Sequence, residues 1–136
     1  MAYQDDFNAK LTDIALLLLR LFFGGFMALL HGWPKLNKLI SQSSLEFPDP
    51  LGAGVFASLS LTVFSEFICG LLLCIGLFSR VSSFFLAVTM TVAAFVIHGP
   101  DPFAKKELAI LYLVVYVVIL LTGPGRYSLD AKFSKI

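Results

Sequence analysis

The sequence predicts an all-α fold, an integral membrane four-helix bundle, and three observations carry that prediction. Hydrophobic residues make up 58% of the 136 and charged residues only 14%, with a mean hydropathy of +0.88, a balance foreign to water-soluble domains. Apolar stretches recur four times, at residues 11–31, 54–78, 81–98 and 102–122, each near the roughly 20 residues that cross a hydrocarbon layer. The connections between them are short apart from one outer loop, residues 32–53, so successive spans should run up-down-up-down as a single domain.

The first ten residues, MAYQDDFNAK, hold two acids and one lysine, unlike the basic start of a cleaved signal, so the first apolar run is expected to stay as a spanning helix. Along it Arg20, Gly24, Met27 and His31 fall on one stripe at helical spacing. Gly32 and Pro34 are expected to end it, with Trp33 as an interfacial anchor. In the loop, PKLNKLI sets Leu36, Leu39 and Ile40 against Lys35, Asn37 and Lys38, the pattern of a short helix lying in the interface. SQSSLEFPDPLG then reads as irregular chain.

The second span repeats small or polar residues every fourth position: Gly54, Ser58, Thr62, Glu66, Gly70 and Cys74. This is the seam along which membrane helices approach closely. FSRVSS allows only a tight hairpin into the third span, where Ala87, Thr91, Ala94 and His98 make a comparable face. The fourth run is purely apolar only from Leu108 to Leu121. Asp101 as N-cap and Pro102 at the first helical position extend it to a full span, and Lys105 and Lys106 can snorkel at its start. There Lys105, Ala109, Tyr112 and Tyr116 share a face.

With four spans both termini share a side. That side collects Lys10, Arg80, Arg126, Lys132 and Lys135 against Lys35, Lys38, Lys105 and Lys106 opposite, which favours cytoplasmic termini. Counting 1.5 Å per residue from the cytoplasmic ends puts Arg20 about 12 Å deep, Glu66 about 18 Å, Tyr112 about 15 Å and Tyr116 about 9 Å. The expectation is one buried polar layer in which Arg20 pairs with Glu66 and the two tyrosines satisfy what is left over. Its role is either to fix helix register or to floor a ligand cavity. An outer polar layer should hold His31, Lys35, His98, Asp101 and Glu107. Of these, His31, His98, Asp101 and Glu107 are of metal-ligand type but lack the HxxxH or ExxH spacing that builds a site, so no metal is expected.

Other classes fall away on the same grounds. Charge is nearly balanced, so nothing offers nucleic acid a basic surface, and lipid is the partner the composition implies. Cys69 and Cys74, five residues apart on one helix, point about 140° apart and read as packing residues rather than a disulfide. No CxxC, haem-ligand pattern or nucleotide fingerprint is present, so the chain encodes no redox cofactor and is not expected to be an enzyme on its own.

Three stretches, LRLFFGGFMALLHGWPKL, FSEFICGLLLCIGLFSRVSSFFLAVTM and HGPDPFAKKELAILYLVVYVVILLTGPGRYSLD, together resemble the DoxX family of small four-helix membrane proteins. The matching positions are Arg20, Gly24, His31, Gly32, Lys35, Glu66, Gly70, Gly76, Leu77 and Arg80. A closing G-x-G-R-Y-S-L-D follows on Gly123, Gly125, Arg126, Tyr127, Ser128, Leu129 and Asp130. The resemblance implies a multi-pass protein of the bacterial inner membrane with cytoplasmic termini. It further implies an accessory subunit of a quinone- or thiol-linked redox system, with an oxidoreductase as partner and a quinone or lipid as the bound molecule. A non-enzymatic adaptor or chaperone for a partner protein is the alternative, and a small-solute or proton pathway the third. Fold alone does not choose among such tasks.

Overall fold

The computed structural model describes residues 2–41 and 46–134. Residues 42–45 of the expected outer loop, and Lys135, lie outside them. The described residues hold helices and no strands. Three helices are long and apolar enough to cross a membrane: α1 (Tyr3–Ser41), α2 (Val55–Ile75) and α3 (Ser79–Ile97). A fourth, α4 (Phe103–Thr122), packs along α3; it carries three charges, Lys105, Lys106 and Glu107, near its start. A short α5 (Leu129–Phe133) follows.

The burial pattern is that of a protein made for lipid. Leu30 is 64% exposed, Phe22 51%, Phe95 57% and Leu121 72%, whereas the fully buried side chains include Arg20, Ser79, Ser82 and Ser83. Apolar groups outside and polar groups inside make sense only where the surroundings are themselves apolar. The core between the helices joins Met27, Cys69, Leu73, Leu86, Met90, Tyr112, Tyr116 and Ile119.

Helix α1 does not end at Gly32. It runs 39 residues to Ser41, and its last stretch, Trp33–Ser41, packs on the start of α2 rather than forming a separate interfacial helix. One feature lets it pass Pro34. The turn before it, Met27–Gly32, is widened to π-type bonding, which absorbs the missing proline N–H. Gly32 is needed for close approach, not termination: a Cβ there would lie 2.6 Å from the Phe67 backbone nitrogen. Gly24 and Gly70 serve the same contact lower down, where a Cβ on Gly24 would lie 2.8 Å from both the Cys74 nitrogen and the Gly70 oxygen.

A second widened turn, Arg20–Gly24, frees carbonyls for neighbours. The Tyr116 hydroxyl donates to the Phe23 oxygen at 3.1 Å, and the Cys74 thiol reaches the Leu21 oxygen at 3.8 Å. Both cysteines are free. Ring contacts between Phe23 and Tyr112 and between His31 and Tyr112, with centroids 5.1 and 5.8 Å apart, bring α4 back onto α1.

Candidate functional site

The structure separates the polar residues into two centres at opposite ends of the helix packing. At the first, the chain after α4 crosses the helix ends as a strap. Arg20, fully buried, donates from Nη2 to the Tyr127 carbonyl at 2.5 Å. Gly76 ends α2 in the left-handed region, φ 75°, and a Cβ there would lie 1.8 Å from Arg20 Nη1, so only glycine leaves room for the guanidinium. The Asp130 carboxylate accepts from the Phe78 and Ser79 amides, both at 2.8 Å, capping α3. The Asp130 amide in turn donates to the Gly76 carbonyl at 2.9 Å.

The rest of the strap is held with equal economy. Ser128 donates to the Gly125 carbonyl and caps α5 by accepting from Ala131. The Arg126 amide donates to Asp13 at 2.9 Å, Arg80 donates to the Leu120 carbonyl at 2.9 Å, and Gly123 lies under the Arg80 side chain. Side chains in this centre mostly bond backbone groups and so fix the chain's path.

The second centre is a cavity of about 200 Å³. Glu66, buried in α2, forms an ion pair with Lys35 of α1. Around them the walls carry His31, His98, Lys105 and Tyr112, with Met27, Met90, Ala93, Leu108 and Ala109 as the apolar part. His98 Nδ1 lies 2.8 Å from Asp101 Oδ2 at the rim, and Lys106 donates to the Gly99 carbonyl at 2.9 Å. The hydrogen bond from His98, followed by the nearby lysine charges, holds the Asp101 carboxyl below its ordinary range. The lining thus combines an apolar part with polar groups that converge on the same space.

Three expectations need correction. Arg20 and Glu66 do not pair: Arg20 is level with Gly76, ten residues along α2 from Glu66, a separation of about 15 Å. The single layer predicted for Arg20, Glu66, Tyr112 and Tyr116 is therefore split, with Glu66 and Tyr112 on the cavity and Tyr116 in the core between. The depth count erred because α1 begins well before the apolar run does, which slides Arg20 down against the end of α2. Glu107 is exposed and does not line the cavity, where Lys105 stands instead. Asp101 does not cap α4, because its carboxylate is engaged by His98.

One functional-looking residue escaped the sequence reading. Asp49, in what reads as irregular loop, accepts from the Ala53 and Gly54 amides at 3.0 Å and from the Ser58 hydroxyl at 2.7 Å, ordering the entry to α2. Those bonds, that from Ser58 foremost, lower its carboxyl pKa. The signal available was an aspartate before a Pro and Gly turn, which favours such local bonds.

A family model described as DoxX matches residues 15–99, a stretch that contains Arg20, His31, Lys35, Glu66 and His98 and stops before the strap. A protein of Haemophilus influenzae, named only as uncharacterized, is 34% identical over 121 residues, covering 81% of this chain and 84% of that protein. An uncharacterized membrane protein of Mycobacterium tuberculosis is 31% identical over 115 residues, covering 65% of this chain and 69% of that protein. No solved structure matches the chain at a significant level.

Proposed function

The chain belongs to the DoxX family of membrane proteins, and from that premise we propose that it is a membrane-embedded accessory subunit of a redox system, holding the head of a quinone-class molecule in the Glu66 cavity. One observation carries the reading: the buried Glu66 meets Lys35, His31, Lys105 and Tyr112 around open space rather than around packed side chains. Quinone carbonyls accept hydrogen bonds, and Lys35, Lys105 and the Tyr112 hydroxyl are donors. At about 200 Å³ the cavity is smaller than the roughly 300 Å³ and upward that whole drug-sized ligands fill. It suits a head group, with an isoprenoid tail lying along the apolar exterior.

A bound quinone would supply two-electron, two-proton chemistry that no residue of this chain supplies. The electrons would come from a partner oxidoreductase docked at the membrane. In this reading all four long helices cross the bacterial inner membrane as an up-down-up-down bundle with both termini cytoplasmic. In the sequence Lys10, Arg80, Arg126, Lys132 and Lys135 at one end outnumber Lys35, Lys38, Lys105 and Lys106 at the other, which supports that orientation, and the cavity then faces the outer side.

The test is extraction of the protein purified in mild detergent. Quinone should co-purify at near-equal molar amounts with the wild type and fall at least about tenfold with Glu66→Gln, which removes the charge that orders Lys35. A wild type free of quinone, or a Glu66→Gln variant that retains it fully, overturns the reading.

A further inference from the structure

The cavity lies among four helices, and three of the four seams between them are closed at its level. Between α1 and α2, Gly32 sits against the Phe67 backbone, and Trp33 lies over the Phe67 ring with centroids 5.9 Å apart. Between α2 and α3 the Ser65 and Thr89 hydroxyls are 2.7 Å apart, and Phe64 stands edge-on to Phe85. Helix α4 packs along α3. Among the described residues it does not pack along α1 in the same way; it meets α1 through Tyr112 against Phe23 and His31, and through the Tyr116 hydroxyl on the Phe23 carbonyl.

That fourth seam opens on the Lys105 side of Tyr112. Val115 and Leu108 are seven residues apart on a regular helix, two turns less about 20°, and so share a face. Tyr112, which touches α1, is only about 40° round the helix from Leu108. Val115 is packed against the core. Leu108, two turns nearer the start of α4, lines the cavity and is still 53% exposed, so the cover that Val115 has is missing at its level. On either side of this gap the cavity is lined by His31 and Lys35 of α1 and by Lys105 and Leu108 of α4. Leu108 is also the first residue of the purely apolar run 108–121, so the gap meets the membrane where headgroups give way to hydrocarbon.

We infer that the cavity opens sideways into the bilayer between α1 and α4, and that its ligand is an amphiphile whose head enters by this gap and whose hydrocarbon tail leaves through it across Leu108. The inference rests on the quinone-class reading above and goes further by giving the route and the residue that the tail meets. A lipid-soluble molecule reaches the Glu66 and Lys35 pair without leaving the membrane. Leu108 then acts on specificity through the first unit of the tail, and added bulk at that position competes with the tail for the gap.

The experiment uses the full chain in nanodiscs and a benzoquinone whose isoprenoid tail carries a photoreactive diazirine on its first unit. Labelled positions are mapped by mass spectrometry, and only labelling that excess unmodified tailed quinone displaces is counted. It should fall on Leu108 and its neighbours in α4 and on the turn from His31 to Lys35 in α1. With Leu108→Trp, which fills the gap, displaceable labelling should drop about tenfold. Leu111→Trp, at a residue 54% exposed and outside the cavity wall, should leave it within about twofold of wild type. Should Leu108→Trp fail to fold, the wild-type map decides by itself. Displaceable labelling confined to other faces, such as Phe64 and Phe85, or a folded Leu108→Trp chain that labels as well as Leu111→Trp, overturns the inference and leaves quinone binding in place. No displaceable labelling anywhere on the wild type overturns the quinone-class reading, and this inference with it.

Discussion

The strap end and the cavity end are built from the same kind of residue, a charged side chain buried among membrane helices, and they use it in opposite ways. At the strap, Arg20 donates to a backbone carbonyl and the space beside it is so tight that one Cβ on Gly76 would collide with it at 1.8 Å. At the cavity, Glu66 is paired to Lys35, yet the surrounding side chains enclose open volume. A buried charge is costly in either place. Where neighbours close around it, the charge fixes chain; where they stand back, it is available to a guest.

Substitutions should separate the two ends, the largest effect coming from the strap. Gly76→Ala must hold alanine at φ 75° and push against Arg20, so unfolding in detergent should show a loss of about 3 kcal/mol. A variant as stable as wild type would mean that the strap gives way easily and the contrast is false. Asp130→Ala removes the acceptor for the Phe78 and Ser79 amides. It should cost about 1 to 2 kcal/mol and expose residues 123–130 to protease, without altering quinone retention.

At the cavity the order reverses, with function more sensitive than stability. Glu66→Gln should lower stability by only about 1 kcal/mol, because Lys35 reaches water and can be resolvated, while ligand retention collapses. A destabilisation as large as that of Gly76→Ala would make the Glu66 and Lys35 pair a structural clasp like Arg20.

The smallest effect concerns pH at the entry to α2. The Asp49 carboxyl is depressed by its bonds to Ser58, Gly54 and Ala53. A depressed carboxyl contributes its stabilisation in full above its unfolded pKa and loses it as pH falls through the lower folded value. Amide hydrogen exchange at Ala53 and Gly54 should therefore become less protected only below about pH 4, and Asp49→Asn should show weaker protection already at neutral pH.

Much of this was legible from spacing. Gly24, Gly32 and Gly70 lie where α1 and α2 touch backbone to backbone, and the fourfold periodicity of α2 marks that face, because small residues are the ones that let membrane helices meet. Lys105, Ala109 and Tyr112 share the cavity wall that their spacing puts on one face. Thr91, by contrast, is exposed and spends its hydroxyl on the Ala87 carbonyl of its own helix. Periodicity assigns residues to a face but does not say how wide the buried stripe is.

The sequence by itself determined an apolar, all-helical chain with charges too costly to leave facing lipid, and it determined which faces must turn inward, since both follow from composition and a fixed rise and pitch. Which charge meets which was decided only in the tertiary structure. Partnership depends on how far one helix is slid along another, and that register is set by events remote from the charges: α1 starting ahead of its apolar run, a widened turn carrying it past Pro34, and a glycine at position 76 leaving room for Arg20 beneath the strap. Once those were in place, Arg20 belonged to the strap and Glu66 to the cavity.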